Sequence, residues 1–407
     1  MGADVWNGRT VLAADWSGGR LIAVTVERGE LTPWGDGYTE PESLSLVGDD
    51  ALITERGGIL LRQDLTTPGR ASAVIVASGL GAAHQVVRTA DGAAALVADR
   101  AGGRIVRVDL GTGAMAVLVS GLAAPVGVAL GPDGAVYVTE QGSGNLTRHA
   151  PDGLADVVLS GLVSPFFLSW VDADRSRLLV TERAPAHRVG VVDVTAGAPV
   201  LERLVGRGIS QPSQAILVED MLVVTGEQRM LALDASAGVA PGVHVGVPTG
   251  PLWPGSWVDV GIDTGVTGWT RPELAIQAEP AGVLTVDEHP GAADDTTRPT
   301  VRLLAHATLG PVDVVVRDAA SMTEVGRGTV SVGFDPTSPP DGPPMWIESA
   351  SQTPVLHMLD ADLSPGVADA GSLLPKDGTG KVTSVWRVLA VLADTKGRSL
   401  VGRAGHV

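Results

Sequence analysis

With 407 residues, of which 44% are hydrophobic and 18% charged, the chain can bury a sizeable core and suits two domains, or one large repetitive domain with an addition. A formal charge of −17 leaves no basic stripe to release counterions from phosphates, which argues against nucleic acid or an anionic membrane as the main partner. The absence of cysteine removes disulfides, thiolate metal sites and cysteine nucleophiles together, and an aromatic content of 3% requires a core of Val, Leu, Ala and Ile.

The first residues, MGADVWNGRT, show no basic segment leading into an apolar one, and no apolar run approaches the ~18 to 20 residues of a membrane span. As written, the chain is expected to be soluble and cytoplasmic unless another system exports it, with no membrane insertion. From residue 11 a pattern recurs. VLAADWSGGRLIAV carries an acid at Asp15, ALITERGGILLRQD at Glu55, ALVADRAGGRIVRVD at Asp99, VYVTEQGSGNLTRH at Glu140 and LLVTERAPAHRVGVVD at Glu182, while LVVTGEQRMLALD supplies Glu227 two positions late. The steps of 40, 44, 41, 42 and 45 residues match a four-stranded blade rather than a helical solenoid. In the Glu140 unit, APVGVAL reads as the innermost strand, AVYVTE as the second, NLTRHA as the third and ADVVLSG as the outer one, with GPDG and GSG as turns. Six such sheets around an axis make a six-bladed β-propeller over residues 1–240. One acid in nearly every blade, followed by Arg20, Arg104 or Arg188, reads as a hairpin pair that belongs to the fold.

The stretch PVGVALGPDGAVYVTEQGSGNLTRHAPDG resembles the repeats of the NHL and virginiamycin B lyase-like propellers and, more distantly, the gluconolactonase-like group. The resemblance covers roughly residues 11–234 and implies the propeller fold. It does not fix an activity, because that fold hosts lyases, lactonases and pure binding scaffolds.

The first unit lacks an obvious inner strand and the sixth a clear outer one, so either ADVWNG or GVHVGVP is expected to complete the ring, the N-terminal segment being preferred. Residues 241–256 are rich in Gly and Pro and read as a linker. Beyond it WVDVGID, ELAIQAE, GVLTVDE, TVRLLAHATL, VDVVVRD and GTVSVGF are β-rich runs, which predict an all-β, sandwich-like domain over residues 257–407. The later VWRVLAVLAD fits either a buried strand or a short helix.

Chemistry on a propeller gathers where the inner strands converge on the axis. The candidate ligand-binding residues there are Glu42, His84, Gln85, Ser213 and Gln214, set against the apolar Val126, Phe166 and Phe167. A lactonase-like site implied by the resemblance would need a cation with about six oxygen ligands, and a lyase-like site a metal with a His as general base. Glu42 with His84 is the one pair placed for it. No catalytic residue, metal site or cofactor is therefore expected, Ca²⁺ or Mg²⁺ being what the enzyme reading would require. TVDEHPGAADDTT gathers Asp287, Glu288, His289, Asp294 and Asp295 without a calcium-loop spacing and reads as an acidic surface loop. Trp253, Trp257 and Trp269 form an aromatic group suited either to sugar binding or to packing. The leading functional expectation is a non-enzymatic binding or assembly protein that recognises a protein partner or a glycan, the C-terminal domain serving for docking. The alternatives are a metal-dependent lyase or lactonase on the axis, and a lectin-like sugar-binding module.

Overall fold

A computed structural model describes residues 2–227, 229–236, 239, 242–248, 250–252, 257–287, 300–305, 309–333, 345–348, 355–358, 388–393 and 399–404. Among the described residues there is no α-helix, and no helix is long and apolar enough to cross a membrane. The chain forms two compact units, Met1–Pro241 with Val266–Gly268, and Gly242–Gly265 with Trp269–Val407.

The first unit is a six-bladed β-propeller in which each blade is a contiguous antiparallel meander. Blade 1 comprises β1 (Ala3–Asn7), β2 (Thr10–Asp15), β3 (Arg20–Thr25) and β4 (Glu30–Gly35), and blade 2 comprises β5 (Pro41–Val47), β6 (Asp50–Glu55), β7 (Ile59–Asp64) and β8 (Val74–Ser78). Blade 3 comprises β9 (Ala83–Arg88), β10 (Ala94–Asp99), β11 (Arg104–Asp109) and β12 (Met115–Ser120), and blade 4 comprises β13 (Pro125–Leu130), β14 (Val136–Glu140), β15 (Asn145–His149) and β16 (Ala155–Leu159). Blade 5 comprises β17 (Pro165–Trp170), β18 (Arg177–Glu182), β19 (Arg188–Asp193) and β20 (Glu202–Val205), and blade 6 has three strands, β21 (Gln214–Val218), β22 (Met221–Thr225) and β23 (Met230–Asp234).

Alternation along the second strands explains the ring. Successive side chains point to opposite faces, so Leu12 and Ala14 of β2 pack toward blade 2 while Val11 and Ala13 pack toward blade 6. In β10, Ala95 and Val97 face blade 2 and Leu96 and Ala98 face blade 4. In β18, Leu178 and Val180 face blade 4 and Leu179 faces blade 6. Both faces are apolar because both are covered, and six inter-blade cores close the circle, mostly with Val, Leu, Ile and Ala and with Tyr38 and Tyr137 in two of them.

Closure differs from the sequence expectation in its means. The segment at Ala3–Asn7 supplies the inner strand of its own blade, pairing with β2, and neither chain end adds a strand to the other's sheet. Blades 6 and 1 meet instead through Ala3, Val11, Ala13, Ile216, Val218 and Val223.

The second unit is built on two sheets, one ordered β24 (His244–Val245), β25 (Trp257–Asp263), β28 (Thr300–Ala305), β27 (Leu284–Asp287), the other β26 (Leu274–Glu279), β29 (Gly310–Asp318), β30 (Glu324–Val332). Val245, Ile262, Ile276, Leu303, Val314 and Val330 from both sheets fill one core, which makes the unit sandwich-like. A further sheet is ordered β32 (Val355–Met358), β31 (Met345–Glu348), β34 (Ser399–Ala404), β33 (Val388–Ala393), so the ambiguous VLAVLA run is a strand.

Candidate functional site

Each inner strand of blades 2 to 5 starts with a register irregularity against the second strand. Pairing jumps from Pro41 to Ser43 in β5, from Ala83 to Val86 in β9, from Pro125 to Gly127 in β13 and from Pro165 to Leu168 in β17. The residues on these bulges are Glu42, His84 with Gln85, Val126, and Phe166 with Phe167. A bulge re-aims side chains that regular pleating would send into the sheet faces, and these four gather residues from four blades at one end of the axis. The next blade is tied to them from behind. Thr54 Oγ1 donates to the His84 carbonyl at 2.6 Å, Thr139 Oγ1 donates to the Phe166 carbonyl, and Thr181 Oγ1 donates to the Ser213 carbonyl at 2.9 Å.

The repeated acids are structural. Asp99 is fully buried, pairs with Arg104 at 2.8 Å and accepts the backbone N–H groups of Ala82 and Gly102. Glu55 pairs with Arg70 at 2.9 Å and accepts the Thr39 N–H at 2.8 Å. Glu140 accepts the Ala123 N–H at 2.7 Å, and Glu182 is held by Arg188 and the Val163 N–H. Each acid thus anchors the loop that leads into its own blade.

The residue after each acid does something else. Its backbone N–H is fixed in the same way around the ring: Arg56 donates to the Glu40 carbonyl at 3.1 Å, Arg100 to Ala82 at 2.9 Å, Gln141 to Ala124 at 3.0 Å, Arg183 to Ser164 at 3.0 Å and Glu227 to Ser210 at 3.1 Å. Glu227 therefore occupies this following position and is not the sixth structural acid, correcting its sequence alignment. The place of the acid is taken by Gly226, and Thr225 before it, fully buried and hydrogen-bonded to Gln214, is the counterpart of Thr54, Thr139 and Thr181. With Trp16 after Asp15, the six following positions carry Trp, Arg, Arg, Gln, Arg and Glu.

These side chains meet the bulge residues. Arg56 lies 3.6 Å from Glu42 Oε1 and over the Trp16 ring at 5.6 Å. Arg183 stacks on Phe166 at 4.6 Å, and Phe166 meets the His84 ring edge-on at 5.9 Å. Arg100 is steadied by Gln141, Nη2 to Oε1 at 3.1 Å. His84 is 3% exposed, and both its ring nitrogens, with Arg183 Nε, are buried without a hydrogen-bond partner. His84 Nδ1 is 3.9 Å from Glu42 Oε2, too far for a hydrogen bond. Burial, reinforced by the positive fields of Arg56, Arg100 and Arg183, pushes His84 down to about 3. Burial raises the Glu42 carboxyl, opposed by Arg56 and Arg183.

Gln85 and Gln214 serve the scaffold. Inner strands expose backbone groups to the axis that no neighbouring strand satisfies. Gln85 Oε1 accepts the N–H groups of Val128 at 3.0 Å and Leu168 at 2.9 Å, and its Nε2 donates to the Leu168 carbonyl at 2.6 Å. Gln214 accepts the Ala3 N–H at 2.8 Å and donates to Ser169 at 3.1 Å. Ser213 is fully buried and its hydroxyl donates to the Gln211 carbonyl at 3.3 Å. Beyond the two glutamines a cavity of about 250 Å³ is lined by all six inner strands. Its polar walls are partly committed: Asp4 accepts the N–H groups of Val5 and Leu46, Arg88 pairs with Asp50 at 3.1 Å while its Nε is buried without a partner, and Arg175 donates to the Leu130 carbonyl at 3.0 Å.

The structure thus brings Glu42 and His84 together and hydrogen-bonds Gln85, Ser213 and Gln214 within the propeller, while Arg56, Arg100 and Arg183 escaped the sequence reading. Their signal was the position after each repeated acid. Among the described residues no three His, Asp or Glu side chains converge as a metal site, and carboxylates such as Glu42 and Glu227 that already face guanidiniums are a poor donor set for a hard cation. Trp269 is 1% exposed in the core of the second unit. Trp253, the Trp257 side chain, and the acidic stretch of Glu288, His289, Asp294 and Asp295 lie outside the described residues, as does the Asp287 side chain.

No family model matches the chain, and no curated protein matches it. Solved structures to which it is similar include a nidogen/laminin complex, at 18% identity over 56% of this chain and 90% of that one with a TM-score of 0.47. A catalytically inactive virginiamycin B lyase from Staphylococcus aureus with quinupristin matches at 14% identity over 56% and 78%, TM-score 0.42. The calcium-binding protein regucalcin from Agrobacterium tumefaciens matches at 16% identity over 58% and 84%, TM-score 0.45. At these values the propeller rests on its own six sheets, and function on the side chains.

Proposed function

We propose that the chain is a non-enzymatic binding protein that presents the Glu42/His84 end of its propeller axis to a protein partner, with the second unit as a docking module. One observation carries this reading. Five backbone sites held by equivalent hydrogen bonds bear Arg56, Arg100, Gln141, Arg183 and Glu227, with Trp16 following the acid of blade 1, which is an asymmetric recognition face on a repetitive frame. Catalysis is not supported, because a general base works best near the operating pH and His84 at about 3 stays neutral and weakly basic. No resident metal or cofactor belongs to the proposal. A glycan platform loses support because Trp269 is buried.

The competing lyase or lactonase reading rests on the proximity of Glu42 and His84. Incubating the full chain with γ- and δ-lactones and with a cyclic depsipeptide, in Mg²⁺ and in Ca²⁺, separates the two. The binding reading expects conversion no faster than background, in the parent as in Glu42→Gln and His84→Ala. Conversion that either substitution abolishes would establish an enzyme.

A further inference from the structure

Arginines are costly to gather beside a buried imidazole, because each disfavours the others and their hydration is reduced. Arg56 has Glu42 for partial compensation. Arg100 and Arg183 form no ion pair among the described residues; one is held by an amide oxygen and the other by an aromatic face. Burial holds the Arg183 guanidinium below its ordinary value. Next to them His84 keeps two buried nitrogens without partners. Orphaned buried polar atoms are rare in folded proteins and call for an explanation, and here three lie at one mouth, two of them donors because a neutral imidazole has one N–H.

We infer that this mouth binds a compact anion, a carboxylate or phosphate group, between the guanidiniums of Arg100 and Arg183, with neutral His84 offering a ring N–H beneath it. The inference rests on the mouth being the binding site of the proposed function and names the chemistry it selects. A planar guanidinium presents paired donors that match both groups. Glu42 and Glu227 offset only part of the charge of the three guanidiniums, and the anion supplies the remainder and an acceptor for the orphaned N–H groups. It must be compact, since a chain of formal charge −17 repels an extended polyanion elsewhere on its surface. Two sources share this chemistry, a free small anion and an acidic side chain of a partner protein.

The test is isothermal titration of the full chain at low ionic strength with inorganic phosphate in one arm and a capped Gly-Glu-Gly peptide in the other. Binding is expected in at least one arm, weakened ~10-fold or more by Arg100→Gln and by Arg183→Gln. It should be unchanged by Arg148→Gln, whose exposed ion pair with Asp133 lies on the third strand of blade 4. It should also weaken with added salt. If Arg183→Gln does not fold, Arg183→Lys keeps the charge and loses the paired donors, and a clear loss is still expected. Preference for the peptide identifies a protein partner as the source, and preference for phosphate a free anion. Absence of binding in both arms, or equal binding by the arginine variants and the parent, overturns the inference and leaves the non-enzymatic reading to its own assay. Conversion in the lactone assay alongside arginine-dependent binding would instead retire the non-enzymatic reading and keep the anion site.

Discussion

His84 shows what a single residue at the mouth contributes and withholds. Its folded value of about 3 lies below the ordinary 6.5, so between these values the unfolded chain binds a proton that the folded chain refuses. Stability conferred by neutral His84 is complete above 6.5 and is lost as the pH falls toward 3. Asp4 acts oppositely. Burial raises it from 3.8 to about 6 despite two backbone hydrogen bonds, so the folded chain takes up the proton first and gains stability as the pH falls from 6 to 3.8. Replacing His84 by Leu removes two orphaned nitrogens while keeping the contact with Phe166. Urea unfolding at pH 7 should show unchanged or higher stability, by up to ~1 kcal/mol. Between pH 7 and 5 the parent should lose ~2 kcal/mol through this residue, and the variant should lose none of it. Equal pH profiles would show that His84 is not held neutral by the fold.

At the scale of elements, repeated short-range devices set the blades and unrepeated polar side chains close the axis. The Thr–acid dipeptides Thr54–Glu55, Thr139–Glu140 and Thr181–Glu182 bind the next inner strand with the Thr and their own lead-in loop with the acid. Gln85 bridges blades 3, 4 and 5 as Gln214 bridges blades 5, 6 and 1, and the other inner strands carry no such amide. Gln85→Leu leaves the Val128 and Leu168 N–H groups buried without acceptors, at a cost of ~2 to 3 kcal/mol. Hydrogen exchange at those two amides should quicken far more than at β14, and an unchanged rate would mean that another group satisfies them. The blades were legible because the acids recur and the second strands are apolar on both faces. The inner strand of blade 1 was not, since Asp4 and Asn7 interrupt the apolar alternation in ADVWN where the strand faces the axis. Glu227 was misread because blade 6 has Gly226 at the acid position, and a count of acids then slides to the next one. The mouth was only half legible: inner-strand positions could be aligned on Pro, but bulges depend on register between strands, which composition does not encode.

For the molecule as a whole, the propeller is a ring without a shared closing strand. Five junctions join blades consecutive in the chain, while the sixth joins its ends through small apolar side chains, the Ala3 to Gln214 hydrogen bond, and exposed pairs of Arg9 with Glu219 and Asp220. Exposed pairs contribute little, so the ring should open there first. Native-state hydrogen exchange should find β1 and β21 less protected than β9 and β13, and uniform protection would contradict closure by packing alone. The central claim is a division of labour in which the repeated acids hold the fold and the residues after them form the recognition face. Chemical denaturation of paired variants tests it most directly. Glu55→Ala, Asp99→Ala and Glu182→Ala should each lose ~2 to 3 kcal/mol by orphaning buried partners, whereas Arg56→Ser, Arg100→Ser and Gln141→Ser should stay within ~0.5 kcal/mol of the parent. Equal losses in the two sets would contradict the claim and make the mouth part of the scaffold.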